Sequence, residues 1–390
     1  MSSDAGAEGR RPAFRIDQLT GLRAVLAPGR AERPDAFEPP RHDPSPDAAE
    51  RCPFCEGREG RTPPEVWARR PGGGAPDSPG WTQRSVPNLY PLLGEPVAVG
   101  GARPGEAGAP GGDEREAAPP GSRAPGRPGA AGPHAAESGF AAAADPLQAS
   151  RRAGEPDPVR ELAADGAHEV IVSAPEHVTS LAGLSEARFA ETVAAWRERI
   201  RAHADDAAHC HLIVNEGPAA GASLEHSHAQ LYALPFVPAA VARERERFAA
   251  YHERTMGGHL LADVAGGEVR IGERLVAVDD DSVLVCPWAS RSPFHLRVIP
   301  RRPAPRFEED GEVGTAMLRT ALVALARAFD GSPQLNLWVR TAPRDADEFH
   351  WHLDVVPRLT VAAGFEMGTG VEVDVYPPER AAADLRTALE

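Results

Sequence analysis

The segment 221–230 constrains the fold of this chain more than any other, because it places imidazole side chains in a strand-like context. Short apolar, β-branched or aromatic runs lie on both sides of it, which is typical of β-strands. Side chains of a strand alternate between its two faces, so a strand here predicts His226, His228 and Gln230 on one face. Two imidazoles and an amide are costly to bury without polar partners. The pattern therefore favours metal binding, phosphate chemistry, or both.

A second motif, Cys52-Pro-Phe-Cys55, has the C-x2-C spacing of a zinc half-site, with two further ligands to come from elsewhere. The same spacing occurs in pairs of ordinary buried cysteines and in redox pairs. The pair of histidines downstream favours zinc among these interpretations. Cys210 and Cys286 lie in apolar contexts and are interpreted as core thiols.

Composition excludes several classes of function. A net charge of -15 argues against a nucleic-acid partner, which requires clustered positive charge. The chain contains no lysine, so any cationic side chain that contacts phosphate must be arginine or histidine. Four cysteines are too few for a disulfide framework. The N-terminus lacks an apolar signal core, and no apolar run approaches the roughly 20 residues of a membrane span. We expect a soluble cytoplasmic protein without a membrane partner.

The order of elements along the chain indicates an internal repeat. Strand, helix, strand and an H-x-H strand occur once before residue 238 and once after it, the second time with His350-Trp-His352. This predicts an α+β fold of two repeats, 13–238 and 239–390, sharing a mainly antiparallel sheet flanked by helices. The first helix is predicted over 185–203, with Ser185 as its N-cap. The Gly/Pro/Ala-rich stretch 94–155 is expected to be a disordered insertion.

Four motifs follow one another along the chain: Cys52-Pro-Phe-Cys55, Ser173-Ala-Pro-Glu-His177, the 221–230 segment with Asn215 before it, and Gly364-Phe-Glu-Met367. In this order they resemble the galactose-1-phosphate uridylyltransferase family, a branch of the histidine-triad superfamily built from two repeats. The resemblance covers both halves of the chain outside the Gly/Pro-rich stretch. It implies a homodimer that acts on a sugar nucleotide and a sugar phosphate or phosphate in carbohydrate metabolism.

The resemblance also implies roles for individual residues. His228 matches the nucleophile of the family and Gln230 its catalytic amide. One structural Zn²⁺ per chain is implied at Cys52, Cys55, His177 and His226. Substrate contacts are implied at Arg30, Arg33, Asn88, Asn215, Ser223, Phe365 and Glu366.

The chain departs from the typical family pattern at three places. Ser227 stands between the two histidines in place of proline, which resembles the ADP-glucose phosphorylase branch. A second metal site of some members is matched only at Glu244 and His352, because Arg340 and Asp354 stand where histidines would be. Arginine beside a cation is electrostatically unfavourable, so we expect no second metal. A lysine that contacts the sugar phosphate in some members is Thr360 here, which leaves the acceptor site open.

These observations lead to one main functional hypothesis. A neutral imidazole can attack the α-phosphorus of a sugar nucleotide and form a covalent nucleotidyl-histidine, which a second phosphate then removes. The first expectation is a UDP-glucose–hexose-1-phosphate uridylyltransferase of galactose metabolism. The alternatives are an ADP-sugar phosphorylase, a nucleotide hydrolase of the histidine-triad type, and a zinc-stabilised binding module without catalysis.

Overall fold

The computed structural model describes residues 11–32, 47–94 and 163–390. The expected disordered insertion falls outside these residues except for Gly94, and Arg33 also lies outside them. Within the described ranges, no helix combines the length and the apolar character that a membrane span requires.

The described residues form thirteen strands and seven α-helices. The strands are β1 Ala13–Ile16, β2 Arg23–Leu26, β3 Trp67–Arg69, β4 Gln83–Pro87, β5 Ala167–Val172, β6 His209–Glu216, β7 His228–Leu234, β8 Leu275–Val278, β9 Ser282–Val285, β10 Leu296–Pro300, β11 Leu335–Arg340, β12 His352–Pro357 and β13 Glu372–Asp374. The helices are α1 Ala48–Arg51, α2 Glu186–Ala204, α3 Ala239–Thr255, α4 Leu260–Ile271, α5 Thr315–Ala328, α6 Gly364–Thr369 and α7 Pro378–Leu389.

Ten strands form one large sheet in the order β3-β4-β5-β7-β6-β11-β12-β10-β9-β8, and every neighbouring pair is antiparallel. The order β5-β7-β6 is mirrored by β10-β12-β11, and one helix connects the first and second strand in sequence of each set, α2 or α5. Two copies of one unit therefore meet where β6 pairs with β11, with Asn215 opposite Asn336. The predicted α+β fold of two repeats on a shared antiparallel sheet is confirmed.

One face of the large sheet is covered by helices. Helix α2 begins at the predicted N-cap, because Ser185 Oγ accepts a hydrogen bond of 3.3 Å from the backbone N–H of Arg188. The apolar residues of α2 recur at helical spacing and are buried in the main core. Residues of α5 and α7 complete this core, which lies between the helices and the sheet.

A buried ion cluster ties α2 to β5. The carboxylate of Glu169 accepts hydrogen bonds from Arg199 at 2.9 and 2.8 Å and lies 2.6 Å from His203 Nε2. Buried Glu169 points toward the helix, and its neighbour His168 faces the other side of the sheet, as strand alternation requires. The hydrogen bonds and charges of His203 and Arg199 overcome burial and lower the pKa of Glu169 to about 2.

The opposite face of the sheet is covered by helices at its second-repeat end. There α3 and α4 pack against β9 and β10 in a separate apolar cluster that includes Phe248 and Phe349. Near the first-repeat end a small cluster around Phe54 and Trp81 lies against β4 and β5. A three-stranded sheet also forms, in which β2 pairs antiparallel with β1 and parallel with β13. Polar side chains of β7, β6, β11 and β12 occupy the strip between the two apolar clusters.

The structure corrects one detail of the predicted H-x-H strand. Strand β7 begins at His228, so His226 precedes the strand and the alternation argument holds for His228 and Gln230 alone. The reason lies in the backbone: Ser227 pairs with the loop 173–178, donating to Val178 O at 2.7 Å and accepting from the N–H of Ser173 at 3.3 Å. That loop also carries His177, and the departure from the ladder turns His226 toward it.

Candidate functional site

Four side chains from three separated parts of the chain converge into a metal-binding geometry. Cys52, Cys55, His177 and His226 present ligand atoms that all lie within 4.8 Å of one another. Sγ of Cys52 is 3.4 Å from Nδ1 of His226, and Sγ of Cys55 is 3.5 Å from Nδ1 of His177. Bonds of about 2.3 Å to sulfur and about 2.0 Å to nitrogen place S and N ligands of tetrahedral zinc about 3.5 Å apart. The donor set and its spacing therefore fit a zinc ion.

The protonation states of this cluster also suit a cation. Nε2 of His226 donates a hydrogen bond of 3.0 Å to Ala174 O, which leaves Nδ1 as the free ligand nitrogen. Burial lowers the pKa of His226 to about 4, so the ring is neutral near pH 7. Burial and the neighbouring Cys52 raise the pKa of Cys55 to about 11. Two adjacent thiolates form here only when a positive ion compensates them. The group fits a structural site, because four protein ligands fill a tetrahedral shell.

His228 opens β7 and directs one ring nitrogen away from the backbone. Its Nδ1 donates a hydrogen bond of 2.7 Å to the carbonyl of His226, so the unprotonated nitrogen is Nε2. The ring of Phe54 lies edge-on at 5.2 Å between centroids. Burial lowers the pKa of His228, with the hydrogen bond to the His226 carbonyl acting in the opposite direction. A neutral imidazole with a free Nε2 is the form that acts as a nucleophile.

Gln230 shares the strand face of His228, and its amide has a fixed orientation. The N–H of Leu92 donates to Nδ1 of His168 at 3.1 Å, so His168 carries its proton on Nε2. That Nε2 donates to Gln230 Oε1 at 3.0 Å, and the hydroxyl of Tyr232 donates to the same oxygen at 2.9 Å. With its oxygen occupied, Gln230 is left with its NH₂ group as a donor. Asn88 lies against the same assembly, its Nδ2 3.1 Å from Nε2 of His168.

Asn215 is oriented in a corresponding way from the second repeat. Asn336 on β11 donates through Nδ2 to Asn215 Oδ1 at 2.8 Å and to Ala220 O at 2.8 Å. Val214 pairs with Ala229, so Asn215 lies across from the start of β7, where His228 begins the strand. The NH₂ groups of Gln230 and Asn215 are thus both available as donors near Nε2 of His228. Such an arrangement suits the oxygen atoms of a phosphoryl group.

Ser227, the residue between the two histidines, anchors the start of β7. Its hydroxyl donates to Glu216 Oε1 at 3.0 Å. The same buried carboxylate accepts from the hydroxyl of Ser180 at 2.9 Å and from the N–H of Leu181 at 2.6 Å. Burial raises the pKa of Glu216, opposed by these three hydrogen bonds. The serine therefore has a structural partner that proline could not supply.

The structure does not bring all predicted substrate residues together. Arg30, Phe365 and Glu366 line a second cleft between the small sheet and the start of α6. Val373 of β13 faces that cleft and the adjacent Glu372 faces the cleft that contains Asn215, so β13 separates the two. Ser223 is exposed in the loop before β7. Arg33 lies outside the described residues.

The residues expected at a second metal site include one ion pair and a carboxylate that has other partners. Arg340 Nε lies 3.4 Å from Glu244 Oε1, and both side chains are buried. Asp354 accepts from Arg297 Nε at 2.7 Å and from Trp338 Nε1 at 3.1 Å, and it lies 2.9 Å from Nε2 of His295. His352 is fully buried behind them. A guanidinium group on the Glu244 carboxylate does not fit a cation at that position, and we derive no step through one.

Several residues of this site were missed in the sequence. Asn336 acts from the second repeat, and only the pairing of β6 with β11 brings it to Asn215. Tyr232 did carry a signal, because His228, Gln230 and Tyr232 occupy alternate positions of β7, and His168 lies opposite Tyr232 on β5. Glu216 carried none, since an acidic residue at the end of a strand is usually solvated.

Comparisons with known proteins agree with this architecture. A family profile described as "Galactose-1-phosphate uridyl transferase, N-terminal domain" matches residues 127–238. An ADP-glucose phosphorylase of Arabidopsis thaliana is 27% identical over 394 residues, covering 97% of this chain and 93% of that protein. A galactose-1-phosphate uridylyltransferase of Neurospora crassa is 30% identical over 191 residues, covering 45% of this chain and 48% of that protein.

Solved structures show the same fold. The crystal structure of the Arabidopsis thaliana ADP-glucose phosphorylase with bound ADP-glucose superposes with a TM-score of 0.68 at 24% identity, over 96% of this chain and 98% of that one. A uridylyltransferase structure superposes with a TM-score of 0.61 at 21% identity and the same coverage.

The doubled unit with its H-x-H strand and the sequence relatives indicate a nucleotidyltransferase built of two repeats. Within that class the chain resembles galactose-1-phosphate uridylyltransferases and, over nearly its whole length, an ADP-glucose phosphorylase.

Proposed function

We propose that this protein moves a nucleoside monophosphate between a sugar nucleotide and a phosphate-bearing acceptor, with His228 as the covalent carrier. The observation that carries the proposal is the hydrogen bond from His228 Nδ1 to the His226 carbonyl, which leaves Nε2 unprotonated beside two amide donors. Support comes also from the nucleotidyltransferases that the chain resembles.

The proposed reaction has two half-reactions. Nε2 of His228 attacks the α-phosphorus of the sugar nucleotide, a P–N bond forms, and the bond to the bridging oxygen breaks. The sugar phosphate leaves with the electron pair of that oxygen. The His226 carbonyl stabilises the positive ring through Nδ1–H, and the NH₂ groups of Gln230 and Asn215 donate to the non-bridging oxygens. A phosphate oxygen of the acceptor then attacks the same phosphorus and regenerates His228.

We also propose that the Cys52, Cys55, His177 and His226 cluster holds one structural zinc ion per chain. Bound there, zinc would supply the positive charge that keeps both thiolates ionised and would fix the segment preceding β7. His226 would then link the two sites, because its ring is a metal ligand and its carbonyl accepts from His228. No second metal is proposed, since the positive charge of Arg340 lies 3.4 Å from the carboxylate of Glu244.

Uridylyl transfer between UDP-glucose and a hexose 1-phosphate is the first candidate for the substrates, supported by the curated uridylyltransferases that match this chain. The second candidate is ADP-sugar phosphorolysis, which is favoured by the relative that matches nearly the whole chain. Family resemblance supports a homodimer in the cytoplasm as part of the same proposal, and sedimentation of the purified protein tests the dimer.

A labelling experiment tests the proposed function. The protein is incubated with UDP-glucose or ADP-glucose labelled in the α-phosphate, denatured, and analysed for acid-labile, base-stable label, which is typical of a phosphoramidate. We expect stoichiometric label from one of the two donors, which identifies the base. Galactose 1-phosphate, glucose 1-phosphate or inorganic phosphate is then added to the labelled enzyme to find which acceptor removes the label. Absence of covalent label with both donors would refute the proposal.

A further inference from the structure

The cleft next to His228 contains two arginines to which no role has yet been given. We infer that Arg291 and Arg358 form a subsite for the oxyanion of the second phosphate, the one that leaves in the first half-reaction and attacks in the second. This inference rests on the proposed function and names the class of acceptor, a phosphate monoester or inorganic phosphate in place of water.

The cleft lies on the same sheet face as His228. It has a volume of about 300 Å³ and is bounded by Asn215, Asn336 and Trp338 on the sheet and by Arg291 and Arg358 at its sides. Asn215 lies across from the start of β7, so an occupant of the cleft would lie beside the phosphorus that His228 attacks. The volume is at the lower end of the range for small-molecule sites.

Both guanidinium groups are available for a ligand. Arg291 and Arg358 are half-buried, and neither has an ion-pair partner within the ranges that the structure describes. The carboxylate of Asp354 is already taken by Arg297 and His295. Cζ of Arg291 lies 5.8 Å from the ring centroid of Trp338, which restricts where the side chain can go. Two half-buried guanidinium groups that have no ion-pair partner in the described ranges and line one cleft with Asn215 suit an oxyanion.

The polar lining of the cleft supports an anionic ligand further. Asn336 donates its two Nδ2 hydrogens to Asn215 Oδ1 and Ala220 O. Because the oxygen of Asn215 is occupied, its NH₂ group is left to face a ligand. Glu372 is the one carboxylate among the residues that line this cleft. Next to two arginines, it would accept a hydrogen bond from a hydroxyl group of the ligand. A sugar phosphate has both an oxyanion and hydroxyl groups, whereas inorganic phosphate would use only the arginines and the amide.

Thr360 stands where some members of the family have a lysine that contacts the sugar phosphate. Arg291 and Arg358 would supply the positive charge that this lysine provides there. Arginine remains charged at every accessible pH and offers a planar pair of N–H donors, which matches two oxygens of one phosphate. Water needs no such pair of cations. The subsite therefore favours phosphate transfer over hydrolysis of the nucleotidyl-enzyme.

The test uses the labelled enzyme in the wild type and in the variants Arg291→Gln and Arg358→Gln. The exposed Arg302→Gln serves as the matched control. Loss of label is followed against the concentration of inorganic phosphate, of glucose 1-phosphate and of galactose 1-phosphate, and also without acceptor. We expect the KM for acceptor to rise at least about tenfold in both variants, as for loss of a charge-assisted hydrogen bond. The loss of label to water should stay unchanged, and Arg302→Gln should match the wild type.

Glu372→Gln separates the two sources of phosphate. It should raise the KM for the sugar phosphates and leave that for inorganic phosphate unchanged. The inference is overturned if label forms normally and both arginine variants retain the acceptor dependence of the wild type. If the wild type never labels, the proposed function fails and the subsite falls with it. A fall in maximal rate and in label yield together, with unchanged KM, would indicate a structural role and would also overturn the inference.

Discussion

The two H-x-H strands of this molecule occupy corresponding places in the sheet and have opposite surroundings. On β7, His228 has a free Nε2 and is followed two residues later by Gln230, an uncharged amide. On β12, His352 is followed two residues later by Asp354, and its Nε2 lies 3.7 Å from that carboxylate. His228 lies beside Asn215, which lines a cleft, whereas His352 lies within a buried network of charged side chains.

The residue two positions after the second histidine explains the difference. A buried aspartate requires cations, and Asp354 has recruited Arg297 and His295, which fill the space beside His352. A neutral glutamine requires only that its oxygen be satisfied, and Gln230 is served by His168 and Tyr232 from one side. The two repeats thus share the strand, and the residue two positions after the second histidine, Gln230 or Asp354, determines which side chains surround that histidine.

The largest expected effect separates the two histidines directly. His228→Asn should abolish covalent labelling by a sugar nucleotide, because it removes the attacking nitrogen, and should retain both fold and metal. His352→Asn should label at a rate within a few-fold of the wild type. Quantitative labelling time courses measure this, with circular dichroism to verify folding. If His352→Asn loses the label and His228→Asn keeps it, the assignment of the catalytic repeat is reversed.

A smaller loss is expected at the amide. Gln230→Ala should slow labelling by about 10²–10³-fold, the range for loss of one transition-state donor. His168→Phe keeps a ring against Tyr232 but removes the donor that orients Gln230, so we expect a loss of only about tenfold. Single-turnover rates at saturating donor measure both effects. Equal rates for Gln230→Ala and the wild type would show that the amide takes no part in the chemistry.

The two strands should also differ in their dependence on metal. Cys52→Ala should lower the zinc content from about one ion per chain and should speed amide hydrogen exchange in β7 but not in β12, because only β7 adjoins the metal site. Cys210→Ala, which removes a buried thiol elsewhere, is the control and should retain the metal. Elemental analysis and hydrogen exchange measure the two quantities. Full zinc retention in Cys52→Ala would contradict the ligand assignment.

The smallest expected effect is on the stability of the fold at acidic pH. The pKa of Glu169 is lowered from 4.5 to about 2, so its contribution to stability is present above pH 4.5 and is lost as pH falls toward 2. Glu169→Gln should lower the free energy of unfolding near pH 7 and flatten its dependence on pH in that window. Asp354→Asn should destabilise more at pH 7, because it leaves Arg297 buried without its charge partner. Denaturant titrations at several pH values test this; an unchanged pH dependence in Glu169→Gln would contradict it.

Much of the fold could be predicted because its signals are local. The apolar spacing of α2 and its serine cap lie in the sequence next to the residues that they organise, and the repeated order of elements is visible directly. The charged residues 243–247 of α3 indicated a solvated helix face, but the packing of α3 with α4 was not predicted, because only Val241, Phe248 and a buried Glu244 mark its inner face. The extents 13–238 and 239–390 of the two repeats stay a prediction.

The candidate site was less predictable because its contacts cross between repeats. The four metal ligands could be predicted from a family resemblance, and the structure brings their ligand atoms together. Asn336, Arg291 and Arg358 carry no motif, since what joins them to His228 is the pairing of β6 with β11 and not their spacing. The start of β7 was misplaced because the backbone of Ser227 bonds to a loop, which no periodicity reveals.

The hydrogen bond between Ser227 and Glu216 limits the order in which this chain can change. Replacing Ser227 with a residue that has no hydroxyl removes one of the three donors of a buried carboxylate. Replacing Glu216 first leaves Ser180 and the N–H of Leu181 without their acceptor. Each single step is therefore destabilising, and the double replacement removes the unpaired Ser227 hydroxyl but still leaves Ser180 and the N–H of Leu181 without an acceptor. The two positions are expected to be inherited together, so that a lineage with serine between its histidines is held there by a residue eleven positions earlier.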